Sequence, residues 1–332
     1  MQVRRASHGD TGDVVRLVLD DARKRERFDP LLWRVADDAH SRVEISVSRD
    51  AAQGGGPFHW FLAEDGETLA GIAHVAIIPC PPVYALSGVA GVLLDETFVT
   101  PAAHTMDAML AAVEAEIEKK GAVIFLAACA EADDAKIQAL ENRGYRATTS
   151  YFARHSLQAS SPPSHVRRAA AGDLGGMARL GRMSRDRHRE ANRVMWHPHP
   201  DADARFAYWM KQSLDLADRS IFVTENAATL SGFVVAQPAS PLQIALATDP
   251  APIGLIDDFC AMEFAASLDG RIAGGVARDL LLAAEADFVS RAKPSAMAIC
   301  PTGWTAKASL LRSCGYRIAN HWFFRERSGT GG

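Results

Sequence analysis

An internal repeat runs through most of the 332-residue chain and constrains its fold more than any other feature. Val3–Leu17 and Val166–Leu180 are identical at nine of fifteen positions. Phe61–Gly71 and Phe222–Gly232 form a second matching pair, at nearly the same separation along the chain. Ordered matches at nearly constant offset indicate a domain of about 160 residues that occurs twice. We call the two units copy one and copy two.

The ends of the two copies also match, in the same order and at a similar separation. The recurring residues are Cys129, Lys136, Leu140, Gly144, Tyr145 and Arg154 in copy one, and Cys300, Lys307, Leu311, Gly315, Tyr316 and Arg325 in copy two. Between the copies, Ser156–His165 is rich in serine and proline, which is typical of a linker. We therefore predict a first domain over residues 1–157 and a second over residues 164–328.

The hydrophobic pattern of copy one predicts alternating strands and helices. Helices are predicted after Gly9, around Phe28–Trp33, over Met106–Lys119 and over Asp134–Asn142. Strands are predicted at Val3–Arg5, Trp60–Ala63, Leu69–Ile78, Gly91–Val99, Ala122–Ala128 and Tyr145–His155. This order favours an α/β (α+β) fold in which each copy has a mixed central sheet flanked by helices.

Composition narrows the class of partner. Hydrophobic residues make up 48% of the chain, and the net charge is −4, so neither nucleic acid nor an anionic membrane is an expected partner. The five cysteines show no CxxC pair and no metal spacing, which fits reduced thiols and no metal site. We expect a cytoplasmic protein that is a monomer, with the copies as an internal pseudo-dimer, or a homodimer.

The stretch Ile256–Leu282 gives the clearest indication of a ligand site. It is predicted to form a strand, a loop and then a helix, with the small residues Gly274–Ala277 at the helix start. Small residues there let backbone N–H groups approach an anion, and the helix dipole favours negative charge. The stretch therefore predicts a pyrophosphate site, with a tight turn that merely needs glycine as the alternative.

The order of elements, and the glycine-rich turn between strand and helix, resemble the GNAT acetyltransferase superfamily. The start Arg4-Arg5-Ala6 followed by Asp10, and the closing pairs Gly144-Tyr145 and Gly315-Tyr316, are similar to that family's pattern. Its members transfer an acetyl group from acetyl-CoA, usually to an amine. The resemblance implies two tandem GNAT-like domains, acetyl-CoA as co-substrate and a small-molecule amine as acceptor.

The two copies depart from the family pattern differently. The turn of copy one, Ala102–Leu110, has no glycine, and Met106 and Asp107 would crowd or repel a pyrophosphate. Copy two keeps small residues there, so we expect it to bind acetyl-CoA, with copy one as a diverged accessory domain. The resemblance implies these cofactor-binding residues: Cys260, Ala261, Met262, Arg271, Ile272, Ala273, Gly274, Gly275, Val276 and Ala277.

Acetyl transfer to an amine needs a base, and three carboxylates lie on or beside the predicted central strand of copy two. They are Asp257, Asp258 and Glu263, and Asp258 aligns with Glu96 of copy one. Because side chains alternate along a strand, we expect Asp257 and Asp258 to face opposite sides. Each carboxylate has an alternative interpretation as the partner of an arginine or as a strand-end acceptor.

Three further interpretations concern the activity and the position of the acceptor site. The tyrosine that often protonates the leaving thiolate in the family is replaced by Leu140 and Leu311, which favours a non-catalytic acyl-CoA sensor or scaffold. The segment Trp196–Pro200 would, by resemblance, form a wall of the acceptor site, with His197 as a base, a substrate contact or a metal ligand. In a third arrangement the acceptor site lies between the copies and takes residues from both.

Overall fold

The computed structural model describes residues 2–53, 56–66, 68–86, 88–99, 103–240, 242–265 and 275–327. Copy one contains β1 (Gln2–Arg5), α1 (Thr11–Phe28), α2 (Ala39–Gln53), β2 (Phe58–Asp65), β3 (Thr68–Pro79), β4 (Val89–Leu93), β5 (Phe98–Val99), α3 (Ala103–Lys119), β6 (Ala122–Ala130), α4 (Asp134–Asn142) and β7 (Arg146–Arg154). Copy two contains β8 (Val166–Arg168), α5 (Leu174–Ala191), α6 (Ala202–Leu214), β9 (Ser220–Asn226), β10 (Thr229–Pro238), β11 (Ile253–Ala261), α7 (Met262–Ala265), α8 (Val276–Ser290), β12 (Ser295–Pro301), α9 (Thr305–Ser313) and β13 (Arg317–Glu326).

The thirteen strands within the described residues belong to one continuous mixed sheet, with helices packed on its faces. Along the sheet the strands follow the order β1-β2-β3-β4-β6-β13-β7-β12-β11-β10-β9-β8, and β5 pairs with β3. The β4–β6 and β11–β12 pairs are parallel, and the other pairs are antiparallel. The predicted class, a mixed sheet flanked by helices in each copy, is confirmed, and the two sheets are joined into one.

The two copies exchange their last strands. β13 of copy two lies between β6 and β7 of copy one and pairs with both, so that Phe323 lies opposite Ala127 and Ala147. β7 of copy one in turn pairs with β12 of copy two, with Phe152 opposite Ala298. Each sheet therefore needs a strand from the other copy. The sequence predicts the closing strands but not their exchange.

Each exchanged strand carries an arginine to a buried glutamate of the other copy. Arg325 lies 2.8 Å from Glu114, and Arg154 lies 2.8 Å from Glu285. The hydroxyl of Tyr145 donates to Glu114 at 3.0 Å, and that of Tyr316 donates to Glu285 at 2.9 Å. A buried carboxylate needs such partners because its charge has lost solvation. The exchange thus explains why an arginine recurs near both copy ends, and the tyrosine recurs because it donates to the glutamate of its own copy.

Two predicted elements of copy one are wrong in detail. Residues 29–33 form a turn rather than a helix, because the Asp29 carboxylate accepts hydrogen bonds from the backbone of Leu31 and Leu32. The predicted strand Gly91–Val99 is interrupted by a turn in which Thr97 N donates to Leu94 O at 3.0 Å. The sequence pattern also fails to reveal α2, whose valine, isoleucine and serine residues are weak helix formers.

Helices α1 and α2 pack against each other in copy one, and helices α5 and α6 pack against each other in copy two. Copy two's helix α8 packs on β9, β10 and β11. This packing brings the start of α8 close to the end of β11, where the predicted site residues lie. Within the ranges that the structure describes, no helix is both long and apolar enough to span a bilayer.

Candidate active site

A cavity of about 370 Å³ lies between the two copies, beside the central strand β11 of copy two. Its walls come from β11, α5 and α6 of copy two and from the loop between β3 and β4 of copy one. The lining residues are Asp257 and Asp258; Gly181, Ser184, Arg185 and His188; Arg205, Phe206 and Trp209; and Pro81, Pro82, Val83 and Tyr84. The site is thus built from both copies, the third arrangement considered from the sequence.

Both strand aspartates line this cavity, so the prediction that they face opposite sides is wrong. Val234 pairs with Phe259 and Ala236 with Ile256, so two residues of β11 lie opposite one residue of β10. Such a bulge breaks strict alternation and re-aims neighbouring side chains. The pattern along β11 carries no signal for it, since an extra residue in a strand pair depends on the partner strand.

The two carboxyl groups differ in their surroundings. Gln237 Nε2 donates to Asp257 Oδ2 at 2.9 Å, whereas no described residue hydrogen-bonds to the Asp258 carboxylate. Burial raises the pKa of Asp257, and burial together with the Asp257 charge raises the pKa of Asp258 to about 7. An aspartate with such a pKa can hold or release a proton near neutral pH. This property suits a general base.

Helix α5 directs one polar face at the cavity, through residues spaced three or four apart. Arg185 is buried, and its Nη2 donates to Asp203, while its buried Nη1 has no hydrogen-bond partner among the described residues. Gly181 leaves room for the opposite wall, since a Cβ there would lie 2.6 Å from the Phe206 ring. Sequence reasoning misses Arg185, although its helical spacing from Gly181 and His188 is a signal that could reveal it.

His188 is held as a neutral imidazole. Its Nδ1 donates to Ser184 O at 2.7 Å, and burial lowers the pKa of His188 to about 3. The Nε2 atom therefore carries a lone pair, and none of the described residues hydrogen-bonds to it. The ring also lies edge-on to Trp196, with ring centroids 5.4 Å apart. His188 can thus accept a hydrogen bond from a ligand in the cavity.

Copy one supplies the cover of the cavity. Ala85 N donates to His197 O at 2.7 Å and His199 N donates to Val83 O at 3.1 Å, which fixes the β3–β4 loop of copy one on copy two. Tyr84 lies against Trp196 with ring centroids 4.9 Å apart, and burial followed by the Asp258 charge raises the pKa of Tyr84. The predicted wall segment therefore holds the cover, but His197 does not line the cavity. Among the described residues no cluster of histidine, cysteine and acidic side chains could hold a metal ion.

Glu263 does not line the cavity. Its carboxylate accepts hydrogen bonds from Val276 N at 3.2 Å and Ala277 N at 2.9 Å, at the start of α8. An internal anion therefore occupies the N–H groups predicted to bind a pyrophosphate. Gly275 has a right-handed φ of −74°, and a Cβ there would meet none of the described residues within 4 Å. The N–H groups at the start of α8 thus accept an anion, and the side chain of Glu263, which supplies it, is exposed.

The other predicted cofactor residues lie in three places. Cys260 and Ala261 are on β11, opposite Phe233 and Gly232 of β10. Met262 begins the short helix α7, which takes the place of the start of the predicted loop. The residues Arg271, Ile272, Ala273 and Gly274 lie outside the described residues.

Side chains at the start of α9 bond to the backbone of β11 and of α7. Lys307 Nζ donates to Phe259 O at 3.1 Å, and Trp304 Nε1 donates to Phe264 O at 3.2 Å. In the sequence, Lys307 stands out only because it is repeated. Lys136 Nζ likewise lies 3.3 Å from Leu94 O, just after β4, so the repeated lysine bonds to the backbone near the acidic pair in both copies.

The equivalent place in copy one is filled by ion pairs. Arg25 Nη1 lies 3.3 Å from Asp95 Oδ1, and His74 Nδ1 lies 3.1 Å from Glu96 Oε2. Both carboxylates are buried, at 3% and 4% exposure. Burial raises the pKa of Asp95. Burial also acts to raise the pKa of Glu96, but the interactions with His74 and the backbone hydrogen bonds together outweigh it and lower that pKa to about 2. These carboxylates are already paired and are not free to take a proton from a ligand.

The loop between β10 and β11 of copy two covers this place, as the loop of copy one covers the cavity. Leu246 N donates to the Glu96 carboxylate, and Ala36 N donates to Ala247 O at 2.9 Å. The two cover loops are exchanged in the same way as the two last strands, because each loop packs on the other copy. In copy one, however, the cover places a backbone donor directly on the carboxylate.

Comparison with known proteins gives the fold. No family model and no curated protein sequence matches the chain. Among solved structures, a GCN5-related N-acetyltransferase from Sphaerobacter thermophilus has a TM-score of 0.58 at 14% identity, covering 99% of this chain and 96% of that one. A tandem GNAT protein from the clavulanic acid biosynthesis pathway has a TM-score of 0.50 at 13% identity, covering 99% of both chains. The chain therefore has the tandem GNAT fold, as the sequence predicted.

Proposed function

We propose that the protein transfers an acetyl group from acetyl-CoA to a small-molecule amine in the cavity between the copies. Copy two, over residues 164–328, is the catalytic domain, and copy one, over residues 1–157, is accessory. The observation that carries this proposal is Asp258, an unpaired carboxylate in a cavity, with its pKa raised to about 7. The GNAT fold supports acyl transfer by analogy.

The residues of the cavity supply the proton chemistry. Asp258 takes a proton from the acceptor amine, and His188 Nε2 accepts a hydrogen bond from the same nitrogen. The loop bearing Tyr84 covers the cavity and limits the entry of water. Asp257 keeps its bond to Gln237, so its charge favours the protonated form of Asp258 after the transfer.

Acetyl-CoA, when bound, supplies a thioester as the activated acyl group. A C–N bond forms between the amine and the acetyl carbon, the C–S bond breaks, its electron pair leaves on sulfur, and the nitrogen proton passes to Asp258. We place the backbone of Cys260–Met262 next to the acyl group, as the family resemblance implies. Val276 and Ala277 would bind the pyrophosphate through their N–H groups after Glu263 has moved. The family resemblance also assigns residues 271–274, which lie outside the described residues, to this site.

The experiment has two measurements. Calorimetric titration with acetyl-CoA tests binding, and release of free thiol with a panel of primary amines tests transfer. We expect binding in the micromolar to millimolar range and amine-dependent thiol release. No binding at millimolar acetyl-CoA would refute the proposal. Gly275→Glu should abolish binding, because a second carboxylate would lie at the helix start.

A non-catalytic acyl-CoA sensor or scaffold is the second candidate. It is favoured by Glu263, which already holds the start of α8, and by the buried Leu311 in place of the family's tyrosine. Binding of acetyl-CoA without thiol release from any amine would support this candidate over the transferase.

A further inference from the structure

The cavity contains a cationic group that transfer to a simple amine would not use. Arg185 lies on α5 with its side chain 6% exposed, and it faces the same cavity as Asp257 and Asp258. Its Nη1 is buried and has no hydrogen-bond partner among the described residues. An unpaired buried donor is costly, more so when it is charged, so a bound anion would stabilise it.

Arg185 shares with Arg182 the carboxylate to which it is hydrogen-bonded. Asp203 accepts hydrogen bonds from both Arg182 and Arg185, so one carboxylate serves two guanidinium groups. These three side chains therefore carry a net charge of +1, counted from their formal charges. Arg182 is exposed to solvent, whereas Arg185 is buried. The excess positive charge is thus felt most strongly where Arg185 meets the cavity.

Other residues of the lining have the complementary character. Asp257 and Asp258 are adjacent on the β11 bulge, and the Asp258 carboxylate has no protein hydrogen-bond donor among the described residues. His188, three residues after Arg185 on α5, adds a neutral acceptor at its Nε2 atom. An ammonium group would find acceptors here and an anionic group would find its donor at Arg185. A cation alone would leave Arg185 Nη1 without a hydrogen-bond partner, and an anion alone would leave the Asp258 carboxylate without a donor.

We propose that the acceptor is a small zwitterion, an α-amino acid, whose ammonium group lies toward Asp258 and whose carboxylate lies toward Arg185. This inference rests on the proposed function for the transfer step, but binding of the amino acid can be measured separately. The cavity volume of about 370 Å³ suits a single amino acid. Phe206 and Trp209 form an apolar wall, so an apolar or aromatic side chain is favoured.

The test compares molecules that differ only in the carboxylate. The pairs are L-phenylalanine with 2-phenylethylamine, and L-leucine with 3-methylbutylamine. Binding to the whole protein is measured by calorimetry without acetyl-CoA, and thiol release is measured separately with acetyl-CoA. We expect at least one amino acid to bind about tenfold or more tightly than its amine partner, the effect of one charge-assisted contact.

Substitutions of Arg185 test whether this side chain binds the carboxylate of the amino acid. Arg185→Met should remove the preference for the amino acid, measured as the ratio of the affinities for the amino acid and for its amine partner. Arg185→Lys keeps the charge and should retain part of the preference, which protects the test if the methionine variant folds poorly. Arg25→Met is the matched control, since Arg25 is an ion-paired arginine with little exposed surface on the corresponding helix of copy one. It should lower stability without changing the preference.

The outcomes are distinct. Amines that bind as well as their amino acids, or an unchanged preference in Arg185→Met, would overturn the inference, as would the absence of binding by both amino acids at millimolar concentration. Amino acid binding that is lost in Arg185→Met, without thiol release, would support the zwitterion site and count against the transferase.

Discussion

The acidic pairs of the two copies occupy corresponding places in the fold but have opposite surroundings. Asp95 and Glu96 of copy one are closed in by Arg25, His74 and the cover loop of copy two. Their counterparts in copy two border a cavity and include one carboxylate without a protein donor among the described residues. The same fold thus gives a structural ion-pair cluster in one copy and a candidate reactive site in the other.

Two positions on the first helix of each copy account for much of this difference. When Val3 is aligned with Val166, Arg25 corresponds to His188 and Ala22 to Arg185. Arg25 is long enough to reach Asp95, whereas His188 is tied to the carbonyl of Ser184. A third position on the helix of copy two is a glycine, which makes space for the opposite wall of the cavity. A few side chains on one helix face therefore decide whether the site is filled or open.

The largest expected effect distinguishes the two acidic pairs directly. Asp258→Asn should lower kcat/KM for acetyl transfer by about 100-fold or more, because it removes the base. Glu96→Gln, the matched change in copy one, should leave kcat/KM within about twofold and lower the unfolding midpoint, since Glu96 is a buried partner of His74. Steady-state thiol release and urea denaturation measure the two effects. Loss of transfer in Glu96→Gln alone would reverse the roles of the copies.

The two exchanged strands allow a second comparison. Arg154→Met should destabilise the protein by about 3 kcal/mol, because Glu285 would retain only one of its two hydrogen-bonding partners, Tyr316. Arg325→Met should cost less, about 1 kcal/mol, because Arg143 still pairs with Glu114. Urea denaturation of both variants measures the difference. Equal losses would mean that the remaining arginine does not compensate.

The acidic pairs of the two copies should also differ in how pH changes acetyl transfer and stability. Transfer should fall about tenfold per pH unit below pH ~7, because Asp258 must be ionised to act as a base and its pKa is raised to about 7. The folded-state pKa of Asp258 lies above its ordinary value of 3.8. Protonation of Asp258 therefore contributes its full stabilisation below pH ~3.8, and this contribution is lost as the pH rises through about 7.

For Glu96 the sign is opposite, because its pKa is lowered from 4.5 to about 2. Its contribution is present above pH ~4.5 and is lost as the pH falls through about 2. Differences in stability between each neutralised variant and the parent, measured from pH 2 to 8, test both signs. A flat difference for Asp258→Asn between pH 4 and 8 would contradict the raised pKa.

The smallest expected effect concerns the start of α8. Glu263→Ala should tighten acetyl-CoA binding by about threefold to tenfold, since no internal anion would compete for Val276 N and Ala277 N. The same change should cost about 1 kcal/mol of stability, because the helix loses its cap. Asp107→Ala in copy one is the control and should leave binding unchanged. Weaker binding in Glu263→Ala would instead mean that Glu263 contributes to acetyl-CoA binding rather than competing with it.

The sequence predicted the features that the internal repeat and the hydrophobic pattern reveal. These are the two copies, the order of most elements and the acidic pair on the central strand. The sequence could not predict which sheet each closing strand joins, because β7 and β13 show the same pattern in either sheet. It also could not predict that Asp257 and Asp258 share a cavity, since the bulge arises from the pairing with β10.

Long-range contacts account for the remaining gap in the site. Arg185 and His188 come together with β11 through the packing of α5, and Tyr84 arrives from the other copy. No local pattern carries that information. Glu263 is recognisable from the sequence as a candidate carboxylate, but its bond to α8 depends on the short helix α7, where the pattern predicts a loop.

The strand exchange has a consequence for synthesis of the protein on the ribosome. The sheet of copy one is complete only when β13, which ends at Glu326, has been made, whereas β7 already ends at Arg154. At about 5–20 residues per second, translation of that interval takes roughly 10–30 s. During this time β6 and β7 have no β13 to pair with and present free strand edges. The nascent first half is therefore a natural client for chaperones, and it should aggregate when it is expressed alone.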